Sequence, residues 1–153
     1  MRIAVMIVAL VTVASCGGAG SNQPSSAQVV GTWTLQTYNG STLPYTGSAN
    51  PDSSVNRVNS GSMTFASDAA SGRKTYLLDI RIVNTKGTTV HDQNYSEVGS
   101  YAGDATTGLK LDPNDLSGGT ATGGQANQLV PATISGNTLS FSQNGKPLTF
   151  VKR

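Results

Sequence analysis

Arg73-Lys74-Thr75-Tyr76-Leu77-Leu78-Asp79-Ile80-Arg81-Ile82-Val83-Asn84 carries the clearest pattern in the chain. Tyr76, Leu78, Ile80 and Ile82 alternate with Leu77, Asp79, Arg81 and Val83, the period of two that marks a half-buried β-strand. Lys86-Gly87 turns that strand into a second one over Thr88–Tyr95, and Glu97–Ala102 reads as the next. Working outward toward the N-terminus, Gly61–Ala66 is a short strand with Met63 and Phe65 on one face. Val29–Tyr38 is rich in Thr, Val, Trp and Tyr and stops at Asn39-Gly40, a strong hairpin signal. Toward the C-terminus, Leu109–Leu111 is short and Asp112–Asn127 is a Gly-rich loop. Gln128–Ile134 leads into the turn Ser135-Gly136-Asn137. Thr138–Ser142 then pairs through Asn144-Gly145 with Leu148–Lys152, so that Leu139, Phe141, Leu148 and Phe150 share one face. No segment has an amphipathic helical period. About eight short antiparallel strands at regular spacing predict an all-β sandwich or closed barrel.

The chain has 153 residues, of which the first part reads as a leader. Arg2 precedes the almost wholly apolar run Ile3–Ala14, and small residues follow. A charged start, a short apolar middle and a small-residue exit make a secretory signal. The run falls short of the roughly 20 residues that a permanent bilayer helix needs. Gly17 to about Gln28 is Gly-, Ser- and Asn-rich and cannot bury enough apolar surface to fold. As a flexible tether it spans roughly 20 Å on average. Residues 1–15, 16–28 and 29–153 are therefore expected to be signal, tether and one folded domain.

Val13-Ala14-Ser15-Cys16, which holds the only cysteine, closely resembles the lipobox of bacterial lipoproteins. The resemblance implies that Cys16 is acylated and becomes the first residue of the mature chain. Each buried acyl methylene contributes roughly 0.8 kcal/mol, so two or three chains anchor stably. The second mature residue is Gly17 where an Asp would favour the inner membrane, which points to the outer membrane. With Cys16 modified no thiol is left for a disulfide or a metal site.

Gly31-Thr32-Trp33 on the first strand resembles the Gly-x-Trp signature of lipocalins. Leu35…Asn39-Gly40…Leu43-Pro44, Glu97-x-Gly99-x-Tyr101, Ile134-Ser135-Gly136-Asn137-Thr138-Leu139 and Phe150-Val151-Lys152-Arg153 are similar to the bacterial lipocalin-like pattern in the same order. The resemblance spans most of Val29–Arg153 and implies a small up-and-down barrel of about eight strands. The long helix and the disulfides of many lipocalins have no counterpart here. Within that resemblance Gly31, Trp33 and Arg153 are structural. The indole plugs the closed end, Gly31 admits a neighbouring chain, and Arg153 is the cation expected over the ring.

An eight-stranded barrel is wide enough either to be filled by side chains or to hold one small ligand. Met63, Phe65, Tyr76, Leu78, Ile80, Ile82, Tyr101, Leu139, Phe141, Leu148 and Phe150 are the expected inward residues. They would line an apolar cavity for a small lipophile or form a solid core. In the second case loops such as Thr46–Ser60 and Asp112–Asn127 would meet a partner protein in envelope maintenance or inhibition.

Charge is sparse, 12% of residues with a formal net of +2, and the basic residues are scattered, which argues against nucleic acid. The sole histidine, His91, sits beside Asp92 on a strand, so the two point to opposite faces and cannot converge as a catalytic pair. No Gly-x-Ser-x-Gly elbow occurs. Asp79, Asp92, Glu97 and Asp104 are too scattered to be read as a carboxylate pair. Asp112-Pro113-Asn114-Asp115 lacks the spacing and final Glu of a calcium loop. No cofactor, metal or catalytic residue is expected. The sequence points to a lipid-anchored, non-enzymatic envelope protein.

Overall fold

The computed structural model describes residues 29–113 and 129–152. The leader, the tether with Cys16, Arg153 and most of Asp112–Asn127 lie outside them. All ten elements are strands: β1 (Gly31–Tyr38), β2 (Ser41–Thr42), β3 (Tyr45–Ala49), β4 (Val55–Ser67), β5 (Lys74–Lys86), β6 (Thr89–Asp104), β7 (Gly108–Asp112), β8 (Val130–Ser135), β9 (Thr138–Gln143) and β10 (Lys146–Lys152). From β4 to β10 each strand pairs antiparallel with the next. Strand β1 pairs with β10 on one side and with β4 on the other, closing an eight-stranded up-and-down barrel. The short β2 and β3 lie outside the ring, on β1 and β4.

Local chemistry explains the tightest connections. Asn39 and Gly40 have φ of 53° and 75°, and Asn144 and Gly145 have 51° and 73°. Two consecutive left-handed residues make the turn whose twist matches the flanking strands, and Asn-Gly adopts it at least cost.

Two expectations change. Thr88–Tyr95 and Glu97–Ala102 form one strand, β6. Its register with β5 runs unbroken from Lys86↔Thr89 to Thr75↔Ser100, because Ser96 fits the pleat opposite Asp79. Thr46–Ser60 is no simple loop, since β3 and the first part of β4 pair across it, Tyr45 with Val58 and Thr46 with Arg57. Strand β4 therefore begins at Val55, six residues ahead of the expected Gly61. Asn50, Asp52 and Ser54 brace the connection: the Ser54 hydroxyl and backbone N–H both donate to Asp52.

The core fills the barrel. Trp33, Leu35, Met63, Phe65, Tyr76, Leu78, Ile80, Tyr101, Leu109, Leu111, Leu139, Phe141, Leu148 and Phe150 are buried in one contiguous cluster. Phe65 meets Tyr101 edge-on at 5.0 Å, and Phe141 stacks on Phe150 at 5.6 Å. Such ring pairs add about 0.5–1.5 kcal/mol beyond their buried area.

Candidate functional site at the mouth of the barrel

One end of the barrel is plugged. Trp33 is fully buried, and its indole N–H donates to the Val29 carbonyl at 2.9 Å. The cation over the ring belongs to Lys152, whose Nζ lies 5.5 Å from the indole centre. Lys152 is the residue directly opposite Trp33 on β10, so its side chain shares the indole's face. Arg153, expected in that role, is outside the described residues. Gly31 has φ +123°, and a Cβ there would sit 3.2 Å from the Lys152 stem. It thus serves both a left-handed backbone and the close approach of that lysine.

The other end is open. A cleft of about 470 Å³ lies there, walled by Tyr38, Tyr45, Val58, Ile82 and Lys146 together with Gly47–Pro51 and Asn56. Tyr38 and Tyr45 pack at 5.4 Å, and the Lys146 ammonium stands 5.6 Å above the Tyr38 ring. Asn39 donates to the Tyr45 hydroxyl at 3.0 Å and fixes that ring.

Two bulges build the walls. In β1 the pairing with β10 slips between Leu35 and Thr37, which leaves Leu35 opposite Phe150 and brings Tyr38 opposite Leu148. In β4 the pairing with β5 slips between Val58 and Ser60, so Val58 faces Ile82 while Gly61 faces Ile80. An extra residue reverses the phase of everything beyond it. Without the slips Tyr38 and Val58 would point to the outer face.

Beside the cleft a carboxylate is held among neutral donors. Glu97 accepts from the Tyr76 hydroxyl at 2.8 Å, the Tyr95 hydroxyl at 2.6 Å and the Gln143 amide at 2.8 Å. Strands β5, β6 and β9 each contribute. Gly99 makes the arrangement possible, because a Cβ there would fall 2.6 Å from the Tyr76 ring, directly opposite on β5. Burial, then the Glu97 charge, raise the Tyr76 hydroxyl far above its ordinary value; burial and the Glu97 hydrogen bond do the same to Tyr95. Both phenols therefore stay protonated as donors, which is the state a carboxylate acceptor needs. The sequence reading placed Glu97 on the Glu97-x-Gly99-x-Tyr101 strand and among scattered acids, not as an acceptor for Tyr76 and Tyr95. Its inward parity with Tyr95, opposite Leu78 and Ile80, was the signal that could have found it.

Of the residues expected to line a cavity, Met63, Phe65, Tyr76, Leu78, Ile80, Tyr101, Phe141 and Phe150 belong to the packed core, and Ile82 alone of that set borders the cleft. His91 is exposed. Asp92 accepts both Nε and a terminal nitrogen of Arg81, which holds its carboxyl below the usual range. Asp79 takes the Ser96 hydroxyl, and Asp104 accepts the backbone N–H groups of Thr106 and Thr107. The four acids thus have four separate settings. Among the described residues no three His, Cys, Asp or Glu side chains converge as a metal site. No family model matches the chain, and no curated protein or solved structure is significantly similar to it.

Proposed function

We propose that the chain is a lipid-anchored cell-envelope protein, held by acylated Cys16, that binds a small lipophilic molecule at the mouth of its barrel without catalysing a reaction. The observation that carries this reading is the cleft of about 470 Å³ lined by Tyr38, Tyr45, Val58 and Ile82. Ligand sites are concave, mainly apolar and typically 300–1,000 Å³, with a few polar groups setting orientation. Lys146 supplies one positive charge at the rim, which favours a lipophile with an acidic head. A lipocalin-like kinship and an outer-membrane address belong to the same proposal.

Native mass spectrometry with lipid extraction on the chain from its own host tests it. A stoichiometric co-purifying lipophile is the expected result, with uptake of a fluorescent fatty acid weakened about tenfold by Ile82→Lys. A clean apo mass without probe uptake would sink ligand binding. The packed interior favours a second reading in that event, a protein-interaction module built on a solid barrel. Cys16→Ala should release the protein from membranes, and unchanged membrane attachment on fractionation would overturn the anchor.

A further inference from the structure

Strand β6 is paired with β5 from Thr89 to Ser100, but β7 covers only Ser100–Asp104 of its other edge. Among the described residues Thr89–Gly99 is thus bonded on one side only. Lys86 and Thr89 close a two-residue hairpin, and a closing pair exchanges both hydrogen bonds. Alternate residues from Thr89 onward therefore bond to β5. The backbone N–H and C=O groups of Val90, Asp92, Asn94, Ser96 and Val98 face the open edge. Their side chains stand on the outer surface, where Val90 is 62% exposed, Val98 42% and the neighbouring Leu77 38%.

This edge is complementary to itself. We infer that a second copy of the chain docks here, β6 against β6 antiparallel, about a two-fold axis through Asn94. In that register every edge-facing residue meets another edge-facing residue, as the ladder requires. Val90 lies opposite Val98 of the second copy, and Leu77, the β5 partner of Val98, extends each valine pair into an apolar row of three. Asp92 meets Ser96, His91 meets Glu97 and Gln93 meets Tyr95, so no like charges are opposed. The neighbouring registers are worse. Centring on Asp92 sets two carboxylates face to face, which is destabilising. Centring on Ser96 opposes Val98 with Asn94 and Asp92 with Ser100, whose edge β7 already occupies. A symmetric interface of this kind closes as a dimer, and main-chain pairing at an exposed edge is an established mode of recognition. The inference is independent of any ligand in the cleft.

The test uses the full chain with Cys16→Ala, which leaves no other thiol. Adding Asn94→Cys should give a disulfide-linked dimer on mild oxidation, while Thr133→Cys, exposed on β8, should not. Hydrogen exchange read residue by residue should show the Val90, Asp92, Asn94, Ser96 and Val98 amides becoming protected as protein concentration rises. Val90→Lys with Val98→Lys should weaken association at least about tenfold in sedimentation, with far-ultraviolet circular dichroism checking that the barrel is intact. Equal cross-linking at Thr133 overturns the register. Protection that does not depend on concentration means the chain covers its own edge and overturns the inference, as does fast exchange at every concentration.

Discussion

Trp33 shows what a single residue contributes. The indole is fully buried, donates to Val29 and carries Lys152 over its face. Trp33→Ala removes a large apolar volume that the surrounding strands cannot refill, so unfolding by denaturant should show a loss of about 3–5 kcal/mol. Lys152→Ala should cost less, about 0.5–2 kcal/mol, the range of a cation held over an aromatic ring. A second residue-scale consequence concerns the phenols. Tyr76, Tyr95 and Tyr101 all have their hydroxyl pKa raised above the ordinary 10.0, each chiefly by burial. A group whose folded pKa is raised stabilises the fold fully below the unfolded value and loses that contribution as pH rises past it. Stability should therefore fall above pH 10. An ultraviolet tyrosinate titration should show Tyr76, buried and bonded to Glu97, ionising only as the barrel opens. Tyr76→Phe should blunt the alkaline loss, and an unchanged profile would remove Tyr76 from the explanation.

Among the elements, the hairpins and bulges do the positioning. The β9–β10 hairpin depends on Asn144 and Gly145, both left-handed. An alanine at Gly145 would have to adopt that conformation at a cost of about 1–2 kcal/mol. Gly145→Ala should lower the denaturant midpoint accordingly, and a neutral result would mean that the turn relaxes freely. The Asn-Gly pairs were legible in the sequence because the turn's chemistry is local. The bulges in β1 and β4 were not. A strict period of two run through Gln36 or Asn59 puts Tyr38 and Val58 on the outer face. The slip is decided by how each strand meets its neighbour, not by its own residues. Reading β6 as two strands was the converse error: Ser96 is polar and turn-prone, yet its hydroxyl is engaged by Asp79 on the adjacent strand.

For the whole molecule, the closed ring of eight strands sorts the side chains into a packed interior, a plugged end and an open mouth. The inward sets on β5, β9 and β10 were readable as alternation, and they are the core. That they fill the barrel instead of lining it follows from their combined volume once all eight strands enclose them. The cleft is assembled from β1, β3, β4, β5 and β10 and corresponds to no motif. A ligand that seats there should raise the unfolding temperature by an amount that grows with the logarithm of one plus its concentration over its dissociation constant. Thermal unfolding of the extracted protein against a fatty-acid series would rank head group and chain length. No shift with any member would count against the mouth as a lipophile site.

The sequence by itself determined that the described residues 29–113 and 129–152 form antiparallel β structure, which faces of β5, β9 and β10 point inward, where the tight turns fall and that Trp33 is buried. These are consequences of alternation and turn chemistry within a few residues. Only the tertiary structure decided that β1 closes on both β10 and β4, that Lys152 stands over Trp33, and that Glu97 gathers Tyr76, Tyr95 and Gln143. Each of these joins residues far apart in the chain through strand register, and register is a property of pairs of strands.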